Sequence, residues 1–427
     1  MFKLGHPFTY LLPYIAVLYI RPHEYVSWLI GVPILPILLM LSVLFWLAQP
    51  EKRCDSPQHR LMPVLYFILV FSVLITGWMS GALKALTDFL PTVLLFFVLS
   101  TAIDSTQRLR TLFMLISAAG AVMALHGINQ MGTEDGIGWT GAQMIQGRIT
   151  YLGFLNDPND LAMVLLMGLP MALYVANTAR IFLVKWTYRA AAALAIYGVY
   201  LTNSRGGVLS LGAMMLAYCI MRFGLWRGLL VLPVFVSALV VLGPSRGGEI
   251  SADEESAAGR VEAWFEGFQM LQSHPLFGVG YNNFLEHHVR TAHNSFVLAI
   301  AELGIIGYYV WLSNMVLTVA MLVRIERTKQ PAPHGKPADP TKWQEVHSIS
   351  RVLLYGMIGG LVSSMFLSRS YTVVWYVHIG MVVAVFQLAR RLWPTIEPIT
   401  FKAWSGRLFV ASNGSIVLLW VLTRLLL

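Results

Sequence analysis

Apolar stretches long enough to cross a lipid bilayer recur along almost the whole chain, and this constrains the fold more than any other feature. A helix needs about 20 apolar residues to span the hydrocarbon core. Candidate spans run from Phe8–Ile20, Trp28–Ala48 and Leu61–Trp78 through to Val352–Leu367, Thr372–Leu388 and Leu408–Leu426. About 13 fit, and about 11 to 14 spans bound the count, because the first is short and holds Pro13. Composition agrees. Hydrophobic residues make up 57% and charged residues 12% of the 427, about half the charge of a soluble domain. A soluble enzyme, a disordered chain and a secreted disulfide scaffold are excluded. The expectation is an all-α, polytopic transmembrane helical bundle, with residues 1–427 forming a single integral membrane domain. No small-residue cleavage site follows the first apolar stretch after Lys3, which therefore reads as an anchor.

Basic residues set the expected topology. The segments 49–60, 104–110, 177–189, 222–227, 324–351 and 390–407 hold most of the Lys and Arg. They alternate correctly with the spans if the N-terminus is cytoplasmic. The net charge of +9 follows from this bias and does not call for nucleic acid. Cys54 and Cys219, the only cysteines, fall on the cytoplasmic side and read as free thiols. The segment 324–351 holds a Pro-rich cytoplasmic linker. Residues 129–159, 202–207, 243–294 and 368–371 lie outside. Residues 243–294 form a large outer loop, far longer than an ordinary connection, and such loops usually carry function. Inside it Val261, Trp264, Phe265, Phe268 and Leu271 share one helical face. The reading starts this helix after Gly259, with Arg260 in its first turn and Pro275 beyond its end. It lies on the membrane boundary or caps the bundle.

Arginines on the outer side run against the charge bias. They include Arg148, Arg205, Arg246, Arg260, Arg290 and Arg369. Arg205 sits in a tight turn, Thr202-Asn203-Ser204-Arg205-Gly206-Gly207. It can snorkel to lipid phosphate, or act as an anion clamp with its planar fork. Arg260 can pair with Glu262 or Glu266 on its helix, or point inward as a second phosphate ligand. His293 is the candidate for proton chemistry. It lies where the large loop enters a span, and a helix N-terminus there favours neutral, basic imidazole. Asn294 or Ser295 would cap that helix. His274, His287 and His288 share the loop, but their spacing resembles no metal site, so no metal and no cofactor is expected. Asn156 and Asn159, in Asn156-Asp157-Pro158-Asn159-Asp160, suit a Pro turn and helix cap and would also suit sugar hydroxyls. Gly278-Val279-Gly280, beside Tyr281, Asn282 and Asn283, shapes a turn or touches ligand.

Taken together, Phe154–Ala162, Ser204-Arg205-Gly206, Gly259-Arg260 with Trp264, and His274-Pro275-Leu276-Phe277-Gly278-Val279-Gly280 resemble the O-antigen ligase / O-antigen polymerase superfamily. Ala292-His293-Asn294-Ser295-Phe296 and Glu302-Leu303-Gly304 complete the match. Order and spacing agree over residues 150–310, and residues 259–307 are the most specific part. The first 130 residues match only as generic spans, and Arg21-Pro22-His23-Glu24-Tyr25 has no assigned role. The resemblance implies a GT-C-like, metal-independent, inverting glycosyltransferase of the bacterial inner membrane, working at the periplasmic face. Its implied donor is an undecaprenyl-diphosphate-linked glycan, and its acceptor a hydroxyl of a glycan, lipid A–core or a protein. Residue by residue, it assigns Arg205 and Arg260 to the donor diphosphate and His293 to the acceptor hydroxyl. Asn156, Asn159, Tyr281, Asn283 and Asn294 remain as candidate glycan contacts. Polymerase, ligase and protein O-oligosaccharyltransferase stay open. From another class, a transporter or flippase would keep ionisable residues at mid-membrane within internal repeats. Here the spans are nearly free of charge except Asp88 and Glu302.

Overall fold

Apolar runs become helices throughout the computed structural model, which describes residues 4–230, 232–233, 250–328 and 340–427. The helices are α1 (Phe8–Ile20), α2 (Ile34–Leu47), α3 (Gln58–Leu74), α4 (Met79–Ala102), α5 (Thr106–Met131), α6 (Pro158–Thr178) and α7 (Phe182–Leu201). Then come α8 (Arg205–Phe223), α9 (Ile250–Ser273), α10 (Ser295–Arg327), α11 (Pro340–Ser364), α12 (Val373–Leu392) and α13 (Phe401–Leu426). Only isolated bridges, not strands, occur among the described residues. An all-helical membrane bundle is therefore what the chain forms. Of these helices, 8 are long and apolar enough to cross a membrane. The apolar α1, α2 and α3 are shorter, and α7 carries Lys185 and Arg189 in its first half. These four account for most of the lower count. The span expected over Trp226–Leu242 lies mostly outside the described residues, as do 329–339 of the expected linker, whose flanks complete α10 and open α11.

Burial ranks the helices. α6, α10 and α12 have 83%, 78% and 89% of their apolar windows buried, against 22% for α13. A helix that is apolar on every side belongs at a bundle centre, and α6 and α12 are of that kind. Pro13, Pro63, Pro91 and Pro170 lie inside helices, which packed neighbours tolerate in a membrane bundle.

The connections sort into two ends. At one, Gln49 Nε2 donates to the Gly5 carbonyl, Arg390 pairs with Asp55, and Arg391 donates to the Asp104 carbonyl. This is the basic end expected inside, and both cysteines are free. At the other, the Tyr151 hydroxyl donates to the Ile20 carbonyl, and Arg148 Nε donates to the Thr202 carbonyl at 2.8 Å. We call this second one the site end. Arg21 belongs to it: its guanidinium lies 5.6 Å from the Phe154 ring and pairs with Glu24.

The α9 helix starts well before Gly259, contrary to the reading that placed Arg260 in a first turn. Residues 251–258 are Ala- and Glu-rich and carry the helix forward. Gly259 lies within it, with the Arg290 guanidinium packed beside it. The helix caps the bundle. Ala263, Phe268 and Met270 are buried, and α9 packs on α10 and α13.

Candidate functional site

Near its site end, α10 is broken at Gly304, whose φ of 61° and ψ of −168° no helix contains. Inside a membrane the freed backbone groups need partners. The loop 275–280 supplies them. The N–H groups of Val279 and Gly280 donate to the carbonyls of Ala301 and Glu302, both at 3.0 Å. In return Ile305 and Ile306 donate to the carbonyls of Pro275 and Leu276, at 2.9 and 3.2 Å. Gly278 and Gly280 have φ of 68° and 103°, and a side chain on Gly278 would strike the Ala301 carbonyl. The paired Gly motifs are therefore a turn docked onto a helix break.

This docking seats His293. Asn294, fully buried, caps α10, its Oδ1 accepting from Phe296 N–H at 2.9 Å and Val297 N–H at 3.3 Å. Ser295 does not cap: its hydroxyl donates to the Leu367 carbonyl at 2.6 Å and accepts from Arg369 N–H at 3.0 Å. Trp264 Nε1 donates to the Ala292 carbonyl at 2.9 Å, tying α9 to the same turn. His293 itself takes a left-handed φ of 47° and is half-buried. Burial holds its imidazole below the ordinary range, and Arg260 pushes the same way; Asp157 opposes them, while Arg290 and Arg369 add to the lowering. A neutral imidazole thus sits among arginines drawn from separate parts of the chain.

Two of these arginines lie outside the pair singled out by sequence. Arg369 donates from Nε to Asp160 Oδ2 at 2.7 Å, binding the turn after α11 to the first turn of α6. Arg290 lies against Gly259 of α9. The charge pattern placed both in loops expected outside; it gave no sign of their convergence.

Arg205 is exposed and begins α8, where Ser204 caps by accepting from Gly207 N–H at 3.1 Å. Asn159 links this turn to α6: its Oδ1 accepts from the Ser204 hydroxyl at 2.7 Å and from Arg148 Nη2 at 2.8 Å. Asn159 is thus a clasp between segments. Asp157 caps α6 through Asn159 and Asp160 N–H. Asn156 is exposed at the end of a short turn. Asn283 is buried, its Nδ2 donating to the Val279 carbonyl at 3.1 Å. Among the described residues, no three His, Cys, Asp or Glu side chains are grouped as an ion site.

A cleft of about 520 Å³ opens beside this turn. Phe154, Tyr281, Glu302, Ser368, Arg369 and Tyr371 line it, and Thr291 brings it within two residues of His293. Tyr281 and Tyr371 meet edge to face with centroids 4.9 Å apart. Burial, and the Glu302 carboxylate facing it, hold the Tyr371 hydroxyl protonated far above its ordinary range.

Residues 190–312 match the family model described as O-antigen ligase. That range contains Arg205, Arg260, Tyr281, Asn283, His293 and Asn294, and excludes Asn156, Asn159, Asp160 and Arg369. No curated protein matches the chain.

Proposed function

We propose that this chain, whose residues 190–312 match the O-antigen ligase family model, works on lipid-linked glycans in bacterial polysaccharide biosynthesis as an inverting glycosyltransferase. The donor is a glycan on undecaprenyl diphosphate, the acceptor a sugar hydroxyl, and the reaction takes place at the periplasmic face. The observation that carries this reading is the half-buried His293, set on the Asn294-capped turn and facing Arg260, Asp157, Arg290 and Arg369.

The chemistry follows from that arrangement. The acceptor oxygen attacks the anomeric carbon from the face opposite the leaving group. A new glycosidic C–O bond forms, and the bond from the anomeric carbon to the phosphate oxygen breaks. The electron pair leaves on undecaprenyl diphosphate, and the acceptor proton passes to His293. Arg205 and Arg260 grip the diphosphate, and guanidinium forks stabilise the charge that develops there. Nearby cations that keep His293 neutral also leave it free to take a proton. In this reading arginine, rather than a metal ion, meets the developing charge. Of the acceptor classes, we favour a growing lipid-linked glycan, making the protein a polymerase of O-antigen or exopolysaccharide.

The test is the purified full chain in detergent with an undecaprenyl-diphosphate-linked repeat unit as both donor and acceptor. Lengthened lipid-linked glycan and released undecaprenyl diphosphate are expected, undiminished by EDTA. Failure to lengthen the glycan while transferring it to lipid A–core would replace polymerase by ligase. No transfer to any hydroxyl acceptor would overturn the reading.

A further inference from the structure

The turn Arg21-Pro22-His23-Glu24-Tyr25 lies far from His293 in sequence, yet it grips the segment that builds one side of the site. Arg21 ends α1 at a left-handed φ of 55°, its N–H donating to the Val17 carbonyl at 2.9 Å. Glycine is the usual residue at such a helix end, because it alone takes this backbone without strain. An arginine there must return through its side chain what the backbone costs. That side chain is 16% exposed. Its guanidinium pairs with Glu24, lies 5.6 Å from the Phe154 ring and packs on Gly153, where a Cβ would collide with it. Tyr151 completes the joint. It is fully buried, and its hydroxyl donates to the Ile20 carbonyl at 2.7 Å and hydrogen-bonds with Tyr25.

From this joint the chain runs directly into the site. The short turn Gly153–Leu155 closes on itself: Tyr151 N–H donates to the Leu155 carbonyl at 3.0 Å, and Asn156 N–H to the Gly153 carbonyl at 3.1 Å. Phe154 walls the cleft, and Asp157, three positions on, caps α6. His293 is faced by Arg260 of α9, Arg290 of the loop before α10, Arg369 of the turn after α11 and Asp157. Of these four only Asp157 is a carboxylate, so its placement decides how far the arginines suppress protonation of the imidazole.

We propose that Arg21 is a positioning residue for His293: by holding Gly153 and Phe154 against the end of α1, it fixes the segment from Tyr151 to Asp157 and sets Asp157 towards the imidazole. The effect on rate rests on the transferase reading; the placement of Asp157 does not. A guanidinium suits the task because it is flat. Its edge meets Glu24 while its face packs on Phe154 and Gly153. Lysine keeps the charge but has no such face.

The test uses the purified full chain in detergent and two readouts. NMR of isotope-labelled histidine follows the His293 titration, with His293→Ala identifying its signal. The rate of transfer from an undecaprenyl-diphosphate-linked repeat unit is measured against pH. Arg21→Gly suits the left-handed backbone and so keeps the end of α1 while removing the grip; Gly153→Ala breaks the same contact from its other side. Asp157 favours the imidazolium, so loosening it lowers the His293 pKa. In both variants, as in Asp157→Asn, the NMR midpoint and the acid limb of the rate should move to lower pH. The plateau rate should fall roughly tenfold to a hundredfold. Arg21→Lys should recover part of both effects. Adding Arg21→Gly to Asp157→Asn should move the midpoint no further, since both act through one carboxylate. A merely structural defect lowers the plateau by loss of folded protein and leaves the midpoint in place. An unmoved midpoint in Arg21→Gly and Gly153→Ala overturns the proposal, and so does an additive shift in the double variant. A midpoint that shifts as expected in a protein that transfers no glycan would sink the transferase reading alone.

Discussion

Arg369 and Asp160 form an ion pair at 2.6 Å across 209 positions of sequence, with Asp160 2% and Arg369 42% exposed. The two partners are therefore unequal. Removing Arg369 strands a carboxylate in the bundle, whereas removing the carboxylate leaves a guanidinium that still reaches water. Arg369→Ala should cost roughly 1–3 kcal/mol of stability, and Asp160→Asn distinctly less. Thermal unfolding of the detergent-solubilised variants checks the ordering. Equal losses would mean that solvent reaches the carboxylate.

Lowered basicity of His293 gives a pH signature. Because burial and Arg260 hold its pKa below 6.5, the acid limb of the rate profile should lie below the ordinary imidazole range. Arg290→Gln removes one repelling cation and should move that limb to higher pH. The same shift has a stability consequence of fixed sign. As pH falls below 6.5, the unfolded chain takes up a proton that the folded site refuses, so this group's contribution turns destabilising with acid. A limb unmoved by Arg290→Gln would place His293 outside the titration that controls the rate.

Substitution at the chemical residues separates two roles. His293→Ala should slow transfer by roughly 10² to 10⁴, the usual value of a positioned base, while donor binding persists. Arg205→Ala and Arg260→Ala should nearly abolish activity. The Lys versions, which keep charge but lose the fork, should fall between. Quantifying glycan product at matched protein level tests this, and wild-type output from Arg205→Ala would remove Arg205 from the donor site.

Glycines divide by backbone. Gly304→Ala forces a Cβ to within 2.5 Å of the Leu276 carbonyl carbon at a φ of 61°. A strained backbone position alone costs about 1–3 kcal/mol, and the collision adds to it. Gly414→Ala, in open space within α13, should be neutral or stabilising by up to about 1 kcal/mol. Melting temperatures that fail to separate the two would argue against the helix break.

Orientation can be checked in cells. Val289, 89% exposed at the site end, should react as Val289→Cys with a membrane-impermeant thiol reagent in intact cells. Cys54, exposed at the opposite end, should react only after permeabilisation. The reverse pattern would turn the bundle over.

Much of this was legible one residue at a time. Apolar runs marked the helices because lipid demands length and composition, and charge bias set the expectation that Arg205 and Arg260 lie outside. Asn294 was readable as one of two candidate caps. The rest depends on contacts that sequence separation hides. Nothing local pairs Arg369 with Asp160, or points Glu302 at the Phe284 amide 18 positions earlier. The start of α9 was misread because Gly259 is a plausible boundary until Arg290 is seen to occupy the space beside it. Asn159 looked like a cap or sugar contact, and only the fold shows its carbonyl oxygen already holding Ser204 and Arg148.

The break in α10 has a consequence for how such a protein can vary. The turn over 275–280 is moored to the helix through amides and carbonyls, not side chains. Its sequence demands are the glycines at 278, 280 and 304, each at a positive φ. Leu276, 57% exposed, is free to drift, and so are residues 285–290 beyond the turn, apart from those packed on neighbours. The joint therefore fixes where the surrounding surface sits without fixing what that surface displays, much as a fitting keeps its thread while the tool attached to it changes.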